Sequence, residues 1–278
     1  MSVFEGKTAV VTGAASGIGE AVARELGRRG AHVYAADVDE AGVAGTAQRI
    51  VSNGGLAEAV ILDVTKSMDV EDLLGRAAKE RGSLDYVFNN AGVGVGGEAI
   101  HMDLDAWNRI IDVNLWGVIY GTTAAYRIMV EQGHGHIVNT ASVAGLVALP
   151  GQIAYNATKH AVVGLTNTLR AEAEHYGVNV SVVCPGLIDT PIFATADVRG
   201  MDIQKILENA PFKAMDAKTA AGIILTGVER NRGIIVVTRH AGFLWRVYRY
   251  APWMFARAVR KSLVDLRAAA VPVKPSAK

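Results

Sequence analysis

The stretch TAVVTGAASGIGEAVARELGRRG, residues 8–30, changes its hydrophobic period part-way along. A short apolar, β-branched run passes through glycines at 13, 17 and 19 and continues with apolar residues at helical spacing. Few folds offer a place for a strand that feeds through glycine straight into a helix. Gly13, Gly17 and Gly19 permit a tight turn and a close approach of backbone to an anion. The helix start then offers unpaired N–H groups and the positive end of its dipole. A glycine-rich loop alone is weak evidence, but its place after a first strand and before a helix is strong evidence for a phosphate cradle.

The same alternation continues down the chain. Candidate strands lie at 8–13, 32–38, 57–64, 84–90, 135–142, 178–185 and 233–238, with helical patterns between most of them. Strands alternating with helices predict right-handed βαβ crossovers and a parallel sheet covered on both sides. Their apolar runs are continuous rather than alternating, as strands buried on both faces require. Nothing before residue 240 reads as a linker, so residues 1–240 are expected to form one domain, with 241–278 an extension ending in disorder.

Composition narrows the class. At 50% hydrophobic and 20% charged residues, the chain has the material for one large core and is neither disordered nor fibrous. A lone cysteine, Cys184, excludes an internal disulfide, suits a reducing compartment, and reads as a buried apolar residue within VSVVCPG. The N-terminus has no signal-peptide pattern and no apolar run is long enough to span a bilayer, so a cytoplasmic location is expected. The histidines show no ligand-like grouping; no metal is expected, and His134 and His136 read as surface residues of a turn. Net charge is +1, yet residues 238–278 hold nine Lys/Arg against one acid. A mildly acidic body therefore carries a basic, aromatic-containing tail.

The second strand ends at Asp37, 18 residues after Gly19. An acid at about that distance grips the two ribose hydroxyls of an adenosine, and would repel a 2′-phosphate. No basic residue stands at Ser16 or Val38 to compensate, so NAD is favoured over NADP. Asp63, followed by Val64 at the end of the third strand, reads equally as an adenine contact or a loop cap. Further on, QIAYNATKHAVVGL sets Tyr155 four residues before Lys159, on one helix face. With free pKa values of about 10 and 10.4, neither side chain transfers protons near neutrality without help. Alone, the pair reads as a packed tyrosine and a solvated lysine.

TGAASGIG (12–19), NNAG (89–92), Asn114, Ser142, YNATK (155–159) and PGLIDT (185–190) together resemble the short-chain dehydrogenase/reductase family, in its shorter single-domain branch, over roughly residues 5–238. That resemblance implies a Rossmann-type doubly wound sheet of seven parallel strands, ordered 3-2-1-4-5-6-7, and hydride transfer between a nicotinamide and a carbonyl or alcohol. It makes Tyr155 the general acid/base, with Ser142 donating a hydrogen bond to the substrate oxygen. Lys159 then stabilises the tyrosine anion and also hydrogen-bonds the nicotinamide ribose. One charge about 4 Å away is worth roughly 4 kcal/mol at an effective dielectric of 20, or about three pKa units before desolvation opposes it. Asn114 is expected to hold a water in a proton relay or, on its residues alone, to be a hydrogen-bonded core amide. Ser16 and Ile18 belong with the glycine loop's cofactor contacts. Asn90, Ala91 and Gly92 border the cofactor, and Ile188 and Thr190, following Pro185 and Gly186, meet the carboxamide.

The substrate is less legible. No charge lies between Ser142 and Tyr155, and the segment 191–212 offers Ile192, Phe193, Met201, Ile203 and Phe212 as a mobile apolar wall. A secondary alcohol or ketone on a steroid-, terpenoid- or lipid-like body suits such a site. The rival reading is a non-catalytic NAD-sensing or scaffold protein, which would be expected to lose Ser142, Tyr155 or Lys159. Family resemblance also implies a homo-oligomer, a dimer or tetramer. For the tail, Pro252 predicts two short helices. Their arginines with Leu244, Trp245, Trp253, Phe255 and Val259 suit either a membrane surface or a cover over a subunit or the active site.

Overall fold

The computed structural model describes residues 2–208 and 212–268. Seven strands form one sheet: β1 (Thr8–Thr12), β2 (His32–Asp37), β3 (Leu56–Ile61), β4 (Tyr86–Asn89), β5 (Gly135–Thr140), β6 (Val178–Cys184) and β7 (Ile234–Val236). Their order is β7-β6-β5-β4-β1-β2-β3 and every pairing is parallel. This is the Rossmann-type topology expected. Every residue of the central β1 is buried, whereas the edge strand β3 exposes Leu56 and Ile61.

Successive residues of a strand point to opposite faces, so adjacent valines of β1 serve different cores. Val11 packs with Leu26, Val43 and Leu225, from α1 (Gly17–Arg28), α2 (Glu40–Ser52) and α9 (Ala217–Glu229). Val10 packs on the other side with Leu74 and Met129, from α3 (Ser67–Arg81) and α5 (Gly117–Gln132), and α6 (Ile153–Ala173) adds Ala173. Helix α4 (Leu104–Ile111) reaches α5 through a π turn, Asp112–Trp116, where the Gly117 N–H bonds the Asp112 carbonyl, and the short helices α7 (Ile192–Thr195) and α8 (Ile203–Glu208) lie between β6 and α9.

His136 departs from the surface turn expected of it. It lies within β5, is buried, and sets Nε2 2.8 Å from Ser181 Oγ. Burial, with Arg170 adding to it, pushes its pKa down to about 3. The strand starts at Gly135, so His136 is its second residue, and the pleat aims this side chain inward.

Beyond β7 the chain forms α10 (Arg239–Tyr250) and α11 (Pro252–Ala268). Ala251 leaves the helical region, as a residue before proline does, and Pro252 opens the second helix where its missing N–H costs nothing. Ala241 and Phe255 are buried, and with Leu244, Trp245 and Val259 they extend a core cluster containing Val147, Val162, Val182 and Cys184. The arm is thus packed on its own chain. Its last turn bonds Arg267 to Glu98 at 2.8 Å. The expected disordered end, 269–278, lies outside the described residues. Among the described residues no helix is long and apolar enough to cross a membrane.

Candidate active site

The glycine loop is built by close approach of backbone to backbone. Gly13 and Gly17 have φ of +68° and +57°, which favour glycine. A β-carbon at Gly13 would stand 2.7 Å from Ala91 Cα, and one at Gly19 would collide with the Gly13 carbonyl oxygen. Ser16 sits at the N-cap of α1, yet its side chain makes no capping bond. By contrast Asp39, Asp103, Asp216 and Thr238 cap α2, α4, α9 and α10. The first-turn N–H groups of α1 are therefore left for an anion, which is what a dinucleotide's pyrophosphate needs.

Asp37, ending β2, accepts from the Ala15 N–H at 2.9 Å and the Asp39 N–H at 3.1 Å. That ties the acid to the glycine loop and leaves lone pairs on both oxygens for hydroxyl donors. Among the described residues no Lys or Arg pairs with it, and Val38 beside it is exposed. Asp63 accepts from both the N–H and the hydroxyl of Thr65, at 3.0 and 2.7 Å, which hold its carboxyl below the usual range. It caps its loop here. Val64 stands against Gly117, where the π turn ends.

A chain of hydrogen bonds joins this loop to the catalytic candidates. Asn90 Nδ2 donates to the Thr12 carbonyl at 3.2 Å, and Asn90 Oδ1 accepts from the Thr140 hydroxyl at 3.3 Å. Lys159 Nζ donates to the Thr140 carbonyl at 3.0 Å and lies 5.6 Å from the centre of the Tyr155 ring. Thr12 Oγ1 accepts from the N–H groups of Asn90 and Ala91, fixing the turn into Gly92. Beneath the strand ends runs a fully buried network: Asn89 Nδ2 donates to Asn139 Oδ1, Thr122 hydroxyl donates to the same oxygen, and Asn139 Nδ2 donates to Thr166.

Ser142, Tyr155 and Lys159 meet at the end of β5. Ser142 Oγ accepts from the Ala144 N–H at 3.1 Å and lies close enough to Tyr155 to act on its hydroxyl. Burial pushes the Tyr155 hydroxyl up, and the Ser142 bond works against that. Lys159 is buried, and burial brings its ammonium down to about 8. Burial thus works against both charged forms, yet near neutral pH Lys159 still carries its proton while Tyr155 keeps its hydroxyl hydrogen. Asn114, at the centre of the π turn, is fully buried and gives both ends of its amide to Val93: Oδ1 accepts from the N–H at 2.8 Å and Nδ2 donates to the carbonyl at 2.9 Å. Of the two expectations for it, the hydrogen-bonded amide describes these contacts, and it shapes the loop that follows Gly92.

The loop from Pro185 closes the other side. Val143 N–H bonds the Pro185 carbonyl at 2.7 Å, and Thr190 lies 3.1 Å from where a Gly17 β-carbon would stand. Ile188 is buried. The glycine loop, the NNAG turn, the Ser–Tyr–Lys group and the 185–190 loop thus converge at the carboxyl ends of the strands, where open α/β sheets take their ligands. A family model for short chain dehydrogenases matches residues 7–199. The chain belongs to the short chain dehydrogenase family.

A putative oxidoreductase, SadH, of Mycobacterium tuberculosis is 38% identical over 242 residues, covering 85% of this chain and 88% of that one. A protein of Eggerthella lenta named 3beta-hydroxysteroid dehydrogenase 2 is 41% identical over 192 residues, 68% of this chain and 74% of its own. Among solved structures, a short chain dehydrogenase/reductase from Burkholderia phymatum in complex with NAD aligns over 100% of both chains, with a TM-score of 0.79 and 30% identity.

Sequence reasoning missed Thr12, Thr140, the Asn89–Asn139 network and His240, whose Nε2 accepts from the Leu187 N–H. For Thr12 a signal existed, since it ends the first strand directly before the glycine loop. For the others nothing local marks the role.

Proposed function

We propose that this family member is an NAD-dependent enzyme that transfers a hydride between nicotinamide and a secondary alcohol or ketone on a hydrophobic, steroid-, terpenoid- or lipid-like body. The observation that carries the reading is the meeting of Ser142, Tyr155 and Lys159 beside a helix N-terminus whose own N-cap serine leaves it open. The α1 N–H groups and the glycine loop hold the pyrophosphate, Asp37 the adenosine ribose, Lys159 the second ribose, and Ile188 with Thr190 the carboxamide. When bound, the cofactor supplies the carbon that gives or takes the hydride and, oxidised, a positive charge beside Tyr155.

In reduction, the raised Tyr155 hydroxyl is a protonated donor at neutral pH, and its proton passes to the substrate oxygen as that oxygen gains charge. Because Ser142 Oγ already accepts from Ala144, its own hydrogen is free to donate to the same oxygen. Lys159, 5.6 Å from the ring centre, offsets the tyrosinate that remains. Oxidation needs the tyrosinate at the outset, so its rate rises with pH until Tyr155 has titrated. NAD is supported by Asp37 and by the cofactor of the Burkholderia relative, and a hydrophobic substrate by the name of the Eggerthella relative.

The test is a panel of secondary alcohols with NAD and with NADP, followed by NADH fluorescence. Turnover with a preference for NAD is expected. Cofactor binding without turnover of any alcohol would favour the sensor, and a preference for NADP would overturn the role of Asp37. The reading extends to partners. Exposed Met68, Ile100, Leu104 and Trp116 supply apolar surface for a homo-oligomer. Phe243, Tyr250 and Trp253, exposed among Arg246, Arg249, Arg257, Arg260 and Lys261, suit contact with an anionic membrane surface. A monomeric mass at all concentrations rejects the first, and indifference to anionic vesicles at low salt rejects the second.

A further inference from the structure

We propose that His240, the second residue of α10, is a positioning residue that holds the 185–190 loop in its cofactor-binding shape through a neutral imidazole. The inference rests on the cofactor reading above and concerns a residue beyond the family match, which ends at 199.

The Leu187 N–H donates to His240 Nε2 at 3.3 Å, and Thr238 Oγ1 lies 3.1 Å from the same nitrogen. Gly186 passes so close that a β-carbon there would stand 2.5 Å from that nitrogen. On the imidazole face, the Phe212 ring stacks at a centroid distance of 4.5 Å and an angle of 8°. On its far side the loop is held by backbone pairing of Met215 and Asp216 with Ile188 and Asp189, and by the buried Ile188 side chain.

A backbone N–H can only donate, so Nε2 must carry a lone pair and the ring proton sits on Nδ1. Protonating Nε2 turns the acceptor into a donor. Two N–H groups then face each other, and Leu187 loses its partner. Burial, with the stacked phenyl ring as part of it, pushes the His240 pKa below the ordinary histidine value and keeps the acceptor form at neutral pH. The charged groups on the elements around it are Asp189 in the loop, Asp216 paired with it, Glu208 and Lys213 in the segment with Phe212, and Arg239, Arg246 and Arg249 on its own helix. Burial is what lowers the imidazole.

The loop carries Ile188 and Thr190, so its release is read as weaker cofactor binding. The experiment measures NADH affinity by fluorescence between pH 8 and pH 5 on the full-length chain, a range chosen to bracket the free histidine value of about 6.5. Wild type is expected to lose about tenfold in affinity toward the acid end, the worth of one lost hydrogen bond. His240→Gln reaches to the same point with an oxygen that never protonates, so it should keep wild-type affinity at pH 8 and lose the acid limb. His240→Leu should be about tenfold weaker at every pH. A merely structural histidine would not give glutamine rescue together with a flattened profile. If wild type and His240→Gln weaken alike in acid, or if His240→Leu binds as wild type does, the inference fails. If wild type binds no NADH even at pH 8, it is the cofactor reading that fails.

Discussion

The two sides of the active site are held together by different means. On the cofactor side, backbone meets backbone: Gly13 against Ala91, Gly19 against Gly13, with Thr12 and Asn90 stitching the turns and a buried Asn–Thr network underneath. On the proposed substrate side, one two-residue ladder pairs Val95 with Asp197 and Gly96 with Val198, and Gly97 bridges Gln152. Side-chain tips do the rest, with Arg199 on Asp103 and Asp197, Arg267 on Glu98, and Leu266 against Gly151. The first arrangement tolerates almost no added atom. The second is held by side-chain tips and short ladders, which can exchange side chains without disturbing the main chain.

Tyr155 stands on the seam between the two sides, and the largest effect is expected there. Tyr155→Phe should lower hydride transfer by about 10²–10⁴-fold while leaving NADH affinity near wild type. Retention of more than about a tenth of the activity would remove Tyr155 from proton transfer and place the chemistry elsewhere.

A matched pair of glycine substitutions breaks the comparison directly. Gly19→Ala drives a β-carbon into the Gly13 carbonyl and should cost about 1–3 kcal/mol or more, together with cofactor affinity. Gly96→Ala, on the substrate side, meets Gly151, Met201 and Val198 only at 3.6 Å, an ordinary contact, and should stay within about 0.5 kcal/mol. Urea midpoints of the two variants decide it. Equal losses would mean that both sides are packed alike.

Acid tests the sheet beneath the site. His136 is neutral when folded, its pKa down at about 3, and takes a proton near 6.5 when unfolded. Its stabilisation is complete above pH 6.5 and is lost as pH falls from there toward 3. By pH 5 the loss is about 2 kcal/mol. His136→Gln should flatten that part of the stability profile, whereas an unchanged slope would assign the acid sensitivity to other groups.

The smallest effect belongs to the arm. Arg267→Glu should leave the thermal midpoint in place but raise KM for bulky alcohols a few-fold, and the difference should fade as salt screens the exposed pair. A loss of cofactor affinity in that variant would show the two sides to be coupled.

What could be read beforehand follows the same division. Strands, the glycine loop and the break at Pro252 are local patterns, and each strand stands within about three residues of its expected place. Strand order needed the resemblance, because periodicity carries no pairing information. The role of Asn139 depends on Asn89, 50 residues away, that of His240 on Leu187, 53 away, and that of Arg267 on Glu98, 169 away. An amide or an imidazole in a polar-looking window gives no hint of such partners. For His136 the glycine neighbour suggests a turn, while its burial is decided by the strands on either side, Tyr86 and Asn179 in register.

Cys184 closes β6 in full burial, its thiol pushed up to about 12, within the same apolar cluster that receives Ala241, Trp245 and Phe255 of the arm. A thiol so placed is chemically silent in the closed molecule. It is also the chain's one sulfhydryl, so any alkylation has a single origin. The rate of labelling, divided by that of an unhindered thiol, becomes an equilibrium constant for opening the cluster of which α10 and α11 form one wall. The protein carries its own gauge of how tightly that cluster stays shut.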